Sequence, residues 1–335
     1  MNHKTQVLTP NDRNIDYCAE LLSRDELVAV PSETVYGLAG NALSESAVEK
    51  IFSVKGRPYI DPLISHFADS DSAAKHINAP KILEQLADTF WPGPLTVVVP
   101  KRPNFPNIVT AGLDSVAIRV PNNPLFLALL RKLDFPLAAP SANSFSYVSP
   151  TCAEHVMSGL GGKITAILDS GPTNFGIEST ILDLRAKTEF KILRPGPITP
   201  EQISDAIGIP VSEYPSGQSK ATRIDAPGML EKHYSPLTKL SVFVQTDDTL
   251  HLEFEPNAAY VFQKRPDMPP ANIKAYWLSE DGDLTTVAHN LFALIRKLDQ
   301  MQLDEIHVEL SPYHGIGVAI NDRLNRAARK SNSSH

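Results

Sequence analysis

A basic turn contains the first residues in this sequence whose types suggest chemistry. Lys55 and Arg57 flank Gly56, and Pro58 follows directly. Two cations on a tight turn, with a glycine that lets another backbone approach closely, suit the phosphates of a nucleotide. A solvated basic turn is the alternative that this stretch alone leaves open.

Further polar side chains lie where short apolar runs end, mostly next to a proline or glycine. An arginine at a strand end favours an anion, such as a carboxylate held by two hydrogen bonds. Strand ends in α/β sheets are where ligands bind, so we expect these groups to gather at one edge. Taken singly, the histidine suits a buried core position, and the serine and asparagine suit turn capping. The residues are His66, Arg119, Ser141, Asn143, Ser179 and Arg194.

Several familiar motifs are missing from the sequence. It contains no G-x-x-x-x-G-K-[ST], no H-E-x-x-H, no paired C-x-x-C and no G-x-S-x-G. No covalent nucleophile is therefore evident, and we expect no protein-held metal site. Lys55, Arg57, Arg119 and Arg194 predict a site that binds a nucleoside triphosphate and a small anion. Such a site catalyses by positioning its substrates and stabilising charge.

The segment Pro31–Gly40, with sequence PSETVYGLAG, follows the apolar run Leu27–Val30. The run predicts a buried strand, and Pro31 ends it because proline lacks the N–H that a central strand needs. We interpret the segment as a loop carrying polar groups, with glycines that give the backbone room. An ordinary turn before a helix starting near Ser44 is the alternative.

Hydrophobic periodicity and turn residues predict the remaining elements. Predicted helices span 11–23, 47–54, 80–90 and 123–133, and predicted strands span 63–67, 95–99, 115–121, 137–139, 166–169, 180–184 and 190–193. Thr151 with Glu154, and Thr199 with Gln202, have the spacing of capping boxes at two more helix starts.

These elements predict a strand-rich α/β domain over residues 1–210. Residues 211–238 are rich in Pro, Gly and Ser, and we interpret them as an ordered linker. Beyond them, strands at 240–244, 258–262 and 305–309 alternate with helices, one around Leu291–Leu298 and one over 318–329. This pattern predicts a smaller three-layer α/β domain over residues 239–330.

Composition restricts the class of protein. The chain has 335 residues, of which 42% are hydrophobic and 21% charged, with a net charge of −7. These values indicate a globular protein of two domains and argue against a general nucleic-acid coat. Cys18 and Cys152 are the only cysteines, which fits a reducing compartment. With no apolar leader or membrane-length run visible, we expect a cytoplasmic protein without a membrane partner.

Nine motifs, taken in order, resemble those of the YrdC-like threonylcarbamoyl-AMP synthases in their long two-domain form. They are PSETVYGL at 31–38, KGRP at 55–58 with DPL and His66, WPGPLT at 91–96, AIRVP at 117–121, PSAN at 140–143, SPT at 149–151, ESTILD at 178–183, LRPG at 193–196 and HYSP at 233–236.

The resemblance implies a fold and a reaction. The fold would be a twisted mixed open sheet with helices, followed by a Rossmann-like C-terminal domain, with the linker covering the active site. The reaction would join L-threonine, bicarbonate and ATP into L-threonylcarbamoyl-adenylate and release pyrophosphate, for N6-threonylcarbamoyladenosine in tRNA. Mg²⁺ would accompany ATP. Downstream threonylcarbamoyl-transferase proteins would be partners, and tRNA or double-stranded RNA is a further candidate.

The resemblance also implies residue roles. Lys55 and Arg57 would be catalytic. L-threonine would be bound by Thr34, His66, Arg119, Ala139 and Ser179, and ATP by Arg57, Asp61, Ser115, Ser141, Asn143, Ser149, Arg194 and Tyr234.

The sequence departs from the family pattern in three ways, of which the mildest is that Ser32 and Ser115 stand where many members have Thr. Asp61 stands where the family usually has asparagine, and Phe145-Ser146 stand where a Ser-Gly pair is common. A non-catalytic RNA- or tRNA-binding module is the alternative from another class, and the acidic charge argues against it. Carbamoyl transfer in hydrogenase maturation is a third reading, but it needs cysteine-rich zinc modules that two cysteines cannot form.

Overall fold

Two sheets organise the chain in this computed structural model, which describes residues 4–186, 188–212, 226–228, 233–244, 255–268 and 273–329. The strands are β1 Gln6–Leu8, β2 Val28–Val30, β3 Gly37–Asn41, β4 Ile64–His66, β5 Leu95–Pro100, β6 Ser115–Arg119, β7 Leu137–Ala138, β8 Ala166–Leu168, β9 Thr180–Asp183, β10 Phe190–Arg194, β11 Val211–Ser212, β12 Lys239–Phe243, β13 Ala258–Lys264, β14 Lys274–Ser279 and β15 Glu305–Glu309. The helices are α1 Asp12–Ser23, α2 Glu45–Lys55, α3 Ser70–Ala74, α4 Ile82–Phe90, α5 Pro124–Leu130, α6 Ala153–Leu160, α7 Pro200–Ile207, α8 Leu284–Asp299 and α9 Gly317–Ala328.

The large sheet has the order β1-β8-β2-β3-β7-β4-β6-β5-β9-β10-β11. Parallel pairs such as β4 with β6 and β5 with β9 alternate with antiparallel pairs such as β5 with β6. The predicted mixed open sheet is confirmed. Its main core is a cluster of apolar side chains that extends from Leu8 to Val211, and a smaller separate cluster includes Ile64, Val98 and Ala117.

The segment that follows β2 differs from the prediction. Gly37–Asn41 is a strand, paired antiparallel with β2, and only residues 31–36 form a loop. The glycines here serve close packing. A Cβ on Gly37 would lie 3.1 Å from the Cβ of Ala139, and one on Gly40 would lie 2.9 Å from Leu27 Cδ2. The prediction of a loop was wrong because a strand with two glycines lacks the β-branched pattern used to recognise strands.

Helix caps test two further predictions. The Thr199 capping box is confirmed, since the Thr199 side chain accepts from Gln202 N and the Gln202 side chain accepts from Thr199 N. The Thr151 capping box was wrong. Helix α6 begins one residue later, so Cys152 occupies the N-cap without a side-chain hydrogen bond. Thr151 instead contacts the ring of His155.

The second sheet has the order β12-β15-β13-β14 and is parallel throughout. Apolar side chains of α8 and α9 share one core with alternate residues of these strands. Most of the predicted linker, residues 213–225 and 229–232, lies outside the described residues. Residues 226–228 and 233–235 are described, and they lie against the first sheet.

The described helices include none that is both long and apolar enough to cross a membrane.

Close backbone contact joins the loop before β9 to α8. Gly176 has a φ of +73°, and a Cβ there would lie 2.5 Å from the carbonyl oxygen of His289 and 2.6 Å from that of Ala288. The His289 ring also lies 2.9 Å from the Asn174 carbonyl oxygen. The two sheets are therefore held at a distance that only glycine allows at this position.

Replacing Gly176 with Ala should lower the free energy of unfolding more than replacing Gly171. Both glycines have positive φ, which costs an alanine about 1–2 kcal/mol. Only Gly176 faces backbone, so overpacking should add roughly 1–3 kcal/mol. A Cβ on Gly171 would meet nothing within 4 Å, which makes Gly171→Ala the matched control. Chemical denaturation of both variants measures the difference, and equal losses would contradict the close contact.

Candidate active site

A small cavity lies where several strands of the large sheet end. Water-sized molecules can occupy about 50 Å³ of it. The loop after β2, the ends of β4, β6 and β10, and the segment before β9 all contribute to its wall. The lining residues are Ser32, Thr34, Val35, Gly37, Arg57, Ile64, His66, Arg119, Phe126, Ala139, Pro140, Ser141, Glu178, Ser179, Arg194, Pro227, Gly228, His233 and Tyr234.

One side of the cavity is built around Arg119 at the end of β6. Its Nη2 lies 2.5 Å from Oε1 of Glu33, and its Nη1 donates to Thr34 Oγ1 at 3.1 Å. Its Nε donates to the Gly93 carbonyl oxygen at 3.1 Å. Ser32 supports Thr34 through a hydroxyl contact of 2.8 Å. The guanidinium is thereby fixed at the cavity wall, with a carboxylate beside it.

His66 lies next to this side, at the end of β4. Its ring is buried against Phe126, with 5.3 Å between ring centroids. Burial, reinforced by the positive charge of Arg119, lowers the pKa of His66 to about 3. Within the described part of the chain, Nδ1 makes no hydrogen bond of normal geometry. The neutral imidazole lines the cavity, where a ligand can form a hydrogen bond with it.

Lys55 is the last residue of α2, and it lies behind the wall of the cavity. Its ammonium group donates to the carbonyl oxygens of Ser141 at 2.5 Å and Asn143 at 2.7 Å. Gly56 supplies the left-handed C-cap of the helix, with φ 66°. Burial, with a smaller contribution from Arg57, holds the pKa of Lys55 well below its usual range. Lys55 thus ties the turn after α2 to the loop after β7.

Arg57 and Asp61 form a buried ion pair beside Lys55. Arg57 Nη2 lies 2.9 Å from Asp61 Oδ1, and the guanidinium also donates to the carbonyl oxygens of Asp61 and Pro62. Burial raises the pKa of Asp61, although Arg57, Lys55 and Arg194 oppose that rise. The Asp61 side chain, which is 0% exposed, thus places a carboxyl group among Arg57, Lys55 and Arg194.

Arg194 ends β10 and closes the cavity from the other direction. Its guanidinium donates to the Ser179 carbonyl oxygen and, at 3.0 Å, to Ser179 Oγ. Its Nη1 donates to the Pro227 carbonyl oxygen at 3.3 Å. Ser179 Oγ also contacts Thr96 Oγ1 at 2.8 Å. Arg194 therefore joins the start of β9 to residue 227 of the predicted linker.

His233 and Tyr234 cover the cavity. Their ring centroids are 4.1 Å apart, and both side chains are buried. Tyr234 has a φ of +63°, an unusual conformation for a bulky residue. Burial near Glu178 raises the pKa of Tyr234 to about 12. Tyr234, the site residue predicted from HYSP, thus lines the cavity together with His233.

The structure brings most of the predicted site residues together. Nine line the cavity: Thr34, Arg57, His66, Arg119, Ala139, Ser141, Ser179, Arg194 and Tyr234. Lys55, Asp61, Asn143 and Ser149 lie behind it and contact the lining residues Ser141, Arg57 and Glu178. Ser115 begins β6, four residues from Arg119, so it lies at the other end of that strand.

Sequence reasoning missed several lining residues. His233 stood next to a predicted site residue, so the HYSP motif was a usable signal. Glu178 begins the motif ESTILD, but its carboxylate was not assigned a role. Phe126 lies on a helix whose apolar pattern indicated only core packing. Pro227 and Gly228 lie on the linker, where no periodicity identifies which residues reach the site.

Two family models match adjoining regions of the chain. Residues 20–196 match the Sua5–YciO–YrdC family, described as telomere recombination. Residues 198–329 match the C-terminal domain of threonylcarbamoyl-AMP synthase. The first match covers more than half of the chain, and it corresponds to the large sheet and its cavity. The chain is thus a protein of the Sua5–YciO–YrdC class.

Relatives that match nearly the whole chain, including both of these regions, identify the family more closely. The chain is 40% identical over 333 residues to threonylcarbamoyl-AMP synthase of Bacillus subtilis, covering 97% of this chain and 95% of the relative. It is 39% identical over 324 residues to that of Pyrococcus abyssi, covering 94% of each. The crystal structure of Pyrococcus abyssi Sua5 complexed with L-threonine superposes with a TM-score of 0.88 at 34% identity, covering 97% of each chain. The chain belongs to the threonylcarbamoyl-AMP synthase family.

Stability should fall as the pH falls from about 6.5 towards 3, in part because His66 cannot accept a proton in the folded state. The unfolded chain binds a proton there at its ordinary pKa, so the free energy of unfolding decreases by up to about 1.4 kcal/mol per pH unit from this residue. In His66→Gln the slope of stability against pH should be shallower by roughly that amount. Chemical denaturation at several pH values measures both slopes, and identical slopes would refute a neutral buried His66.

Proposed function

We infer that the chain joins L-threonine, bicarbonate and ATP into L-threonylcarbamoyl-adenylate and releases pyrophosphate, for N6-threonylcarbamoyladenosine in tRNA. Family membership supports the reaction. The observation that carries the inference at the level of residues is the cavity itself. It places an arginine suited to a carboxylate, Arg119, opposite buried cations suited to phosphates, Arg57 and Arg194.

We assign threonine to the Arg119 side. Its carboxylate pairs with the Arg119 guanidinium, whose geometry suits two parallel hydrogen bonds. The hydroxyls of Thr34 and Ser179 and the imidazole of His66 supply the remaining polar contacts. Ala139 gives an apolar wall for the substrate methyl group.

We assign ATP to the opposite side, with Arg57 and Arg194 on the phosphates. The predicted nucleotide residues Ser141, Asn143, Ser149 and Asp61 surround these cations, and Ser115 remains a prediction that no contact in the structure supports. The cavity is far smaller than the roughly 300–1,000 Å³ typical of ligand pockets. Tyr234 and residues 227–228 therefore move when the nucleotide enters.

The chemistry follows from this placement. The neutral amine of threonine attacks bicarbonate, and water leaves to give a carbamate. A carbamate oxygen then attacks the α-phosphorus of ATP, the bond from that phosphorus to the bridging oxygen breaks, and pyrophosphate departs. Arg57 and Lys55 stabilise the charge that develops on the phosphates. Closure by Tyr234 excludes water, which would otherwise hydrolyse the carbamate.

The site fits Mg²⁺ bound mainly to the nucleotide. Both carboxylates near the proposed phosphate position already have cationic partners, Asp61 with Arg57 and Glu178 with Arg323. Mg²⁺ usually keeps several waters and binds substrate phosphates. When bound, the ion offsets phosphate charge.

Downstream threonylcarbamoyl-transferase proteins use the product. The reaction takes place in the cytoplasm, where ATP and tRNA occur together. The net charge of −7 argues against tRNA or double-stranded RNA as a tightly bound partner.

Pyrophosphate release tests the function. Release should require ATP, threonine and bicarbonate together, since the carbamate is the group that attacks ATP. Arg57→Ala should lower kcat by about 10²-fold or more, because it removes a preorganised donor from the developing charge. Arg102→Ala, at an exposed arginine of the same domain, is the control and should behave as the wild type. Release without threonine would refute the assignment, and no release at all would favour the binding module.

Replacing Asp61 with Asn should lower the KM for ATP. The substitution removes a negative charge from beside the proposed phosphate site, while the backbone carbonyls that hold Arg57 remain. A decrease of roughly tenfold is expected, equivalent to about 1.4 kcal/mol. Asp71→Asn, at an exposed aspartate, controls for net charge. A higher KM in Asp61→Asn would mean that the carboxylate assists nucleotide binding.

A further inference from the structure

An arginine from the second region of the chain reaches the wall of the active site. Arg323 lies on α9 and is 0% exposed. Its Nε donates to Oε2 of Glu178 at 2.8 Å, and its Nη2 donates to the carbonyl oxygen of Pro195 at 2.9 Å. Its Nη1 donates to Asp322 at 2.7 Å. Arg323 does not line the cavity, but it contacts residues that do and the neighbour of Arg194.

Glu178 connects Arg323 to residues of both proposed substrate sites. Its second carboxylate oxygen accepts from Ser149 Oγ at 2.5 Å. Its backbone precedes Ser179, which receives hydrogen bonds from Arg194. The orientation of one carboxylate thus fixes a proposed ATP residue and the start of β9 together. Arg323 is the charged partner that determines this orientation.

Tyr234 is held by the same arginine. The Arg323 guanidinium carbon lies 5.2 Å from the centre of the Tyr234 ring. Phe292 of α8 stacks on that ring with centroids 5.7 Å apart and an interplanar angle of 21°. Cation–π contact is strongest when both partners are out of water, as they are here. The closed position of Tyr234 therefore depends on α8 and α9.

A second arginine supports the same loop. Arg296 of α8 donates to the carbonyl oxygens of Val148 and Ser149, and its guanidinium carbon lies 4.8 Å from the centre of the Tyr147 ring. The loop that presents Ser149 is thus held by its side chain through Glu178 and by its backbone through Arg296. Arg323, which pairs with Glu178, and Arg296 both lie beyond residue 284.

Stability alone does not account for the Arg323 network. Taking an arginine and two carboxylates out of water costs several kcal/mol per ion, and apolar residues of similar size are often as stable or more so. Unlike apolar packing, the directional contacts of Arg323 fix the orientations of the Glu178 carboxylate, the Pro195 carbonyl group and the Tyr234 ring at the same time. Glu178 and Tyr234 line the cavity, and Pro195 directly follows Arg194, which lines it too.

We propose that Arg323 is a positioning residue of the active site, which orients Glu178, and through it Ser149 and Ser179, and which holds Tyr234 closed. The second domain thereby completes the ATP site rather than merely adjoining it. The proposal rests on the function inferred above.

Kinetics of four variants test this role by threonine-dependent pyrophosphate release. Arg323→Met should lower kcat/KM for ATP by about 10²-fold, the scale of a misplaced active-site group. Glu178→Gln should have a similar effect, and the double variant Glu178→Gln/Arg323→Met should be little worse than either. Arg326→Met is the control, since Arg326 lies on the same helix, is buried and pairs with the same Asp322. It should stay within about threefold of the wild type.

The outcomes separate the possible failures. A wild-type protein without threonine-dependent release would refute the proposed function itself. Normal release by the wild type, with Arg323→Met equally active, would overturn only the role of Arg323. Additive losses in the double variant would mean that Arg323 does not act through Glu178. If Arg323→Met does not fold because Glu178 is left unpaired, the double variant lacks both charges and decides the question, with wild-type kinetics overturning the proposal.

Discussion

Basic side chains that are out of contact with water impose the main constraint on this site. Lys55, Arg57, Arg119 and Arg194 are all buried, and burying a charge without a partner costs far more than any single contact returns. The chain supplies a partner for each. Glu33 and other groups surround Arg119, Asp61 pairs with Arg57, and backbone carbonyls accept from Lys55 and Arg194. Substrate anions therefore enter by exchanging with groups already present.

This constraint explains why the wall comes from distant parts of the sequence. No one loop can present enough carbonyl and carboxylate oxygens to several cations, so strand ends from across the sheet converge. Lys55 joins α2 to the loop after β7, and Arg194 joins β10 to residue 227. Each cation thus connects two segments. Substrate binding and the position of Pro227 become linked, because the substrate and the Pro227 carbonyl oxygen compete for the same Arg194 donor.

The sequence predicted the parts of the structure that depend on local patterns. Prolines and glycines after apolar runs located the strand ends, and with them Arg119, Arg194 and Ser179. The hairpin of β2 and β3 was missed because Gly37 and Gly40 pack against side chains from elsewhere in the chain, which no local pattern records. The arginines of α8 and α9 gave no signal either. In the sequence they are ordinary helix residues, and only tertiary contact shows where they point.

That difference has a physical basis. The residues proposed to contact substrate lie on loops or at the last position of a strand. The turns at these places use prolines, glycines and small polar residues that can be seen in the sequence. A residue that contacts a site residue rather than the substrate can lie on a regular helix and point into the protein interior, as Arg323 does. Its partner Glu178 carries the visible motif. Supporting groups of this kind therefore come to light through buried charge in a structure, because a charge removed from water must have a partner that explains it.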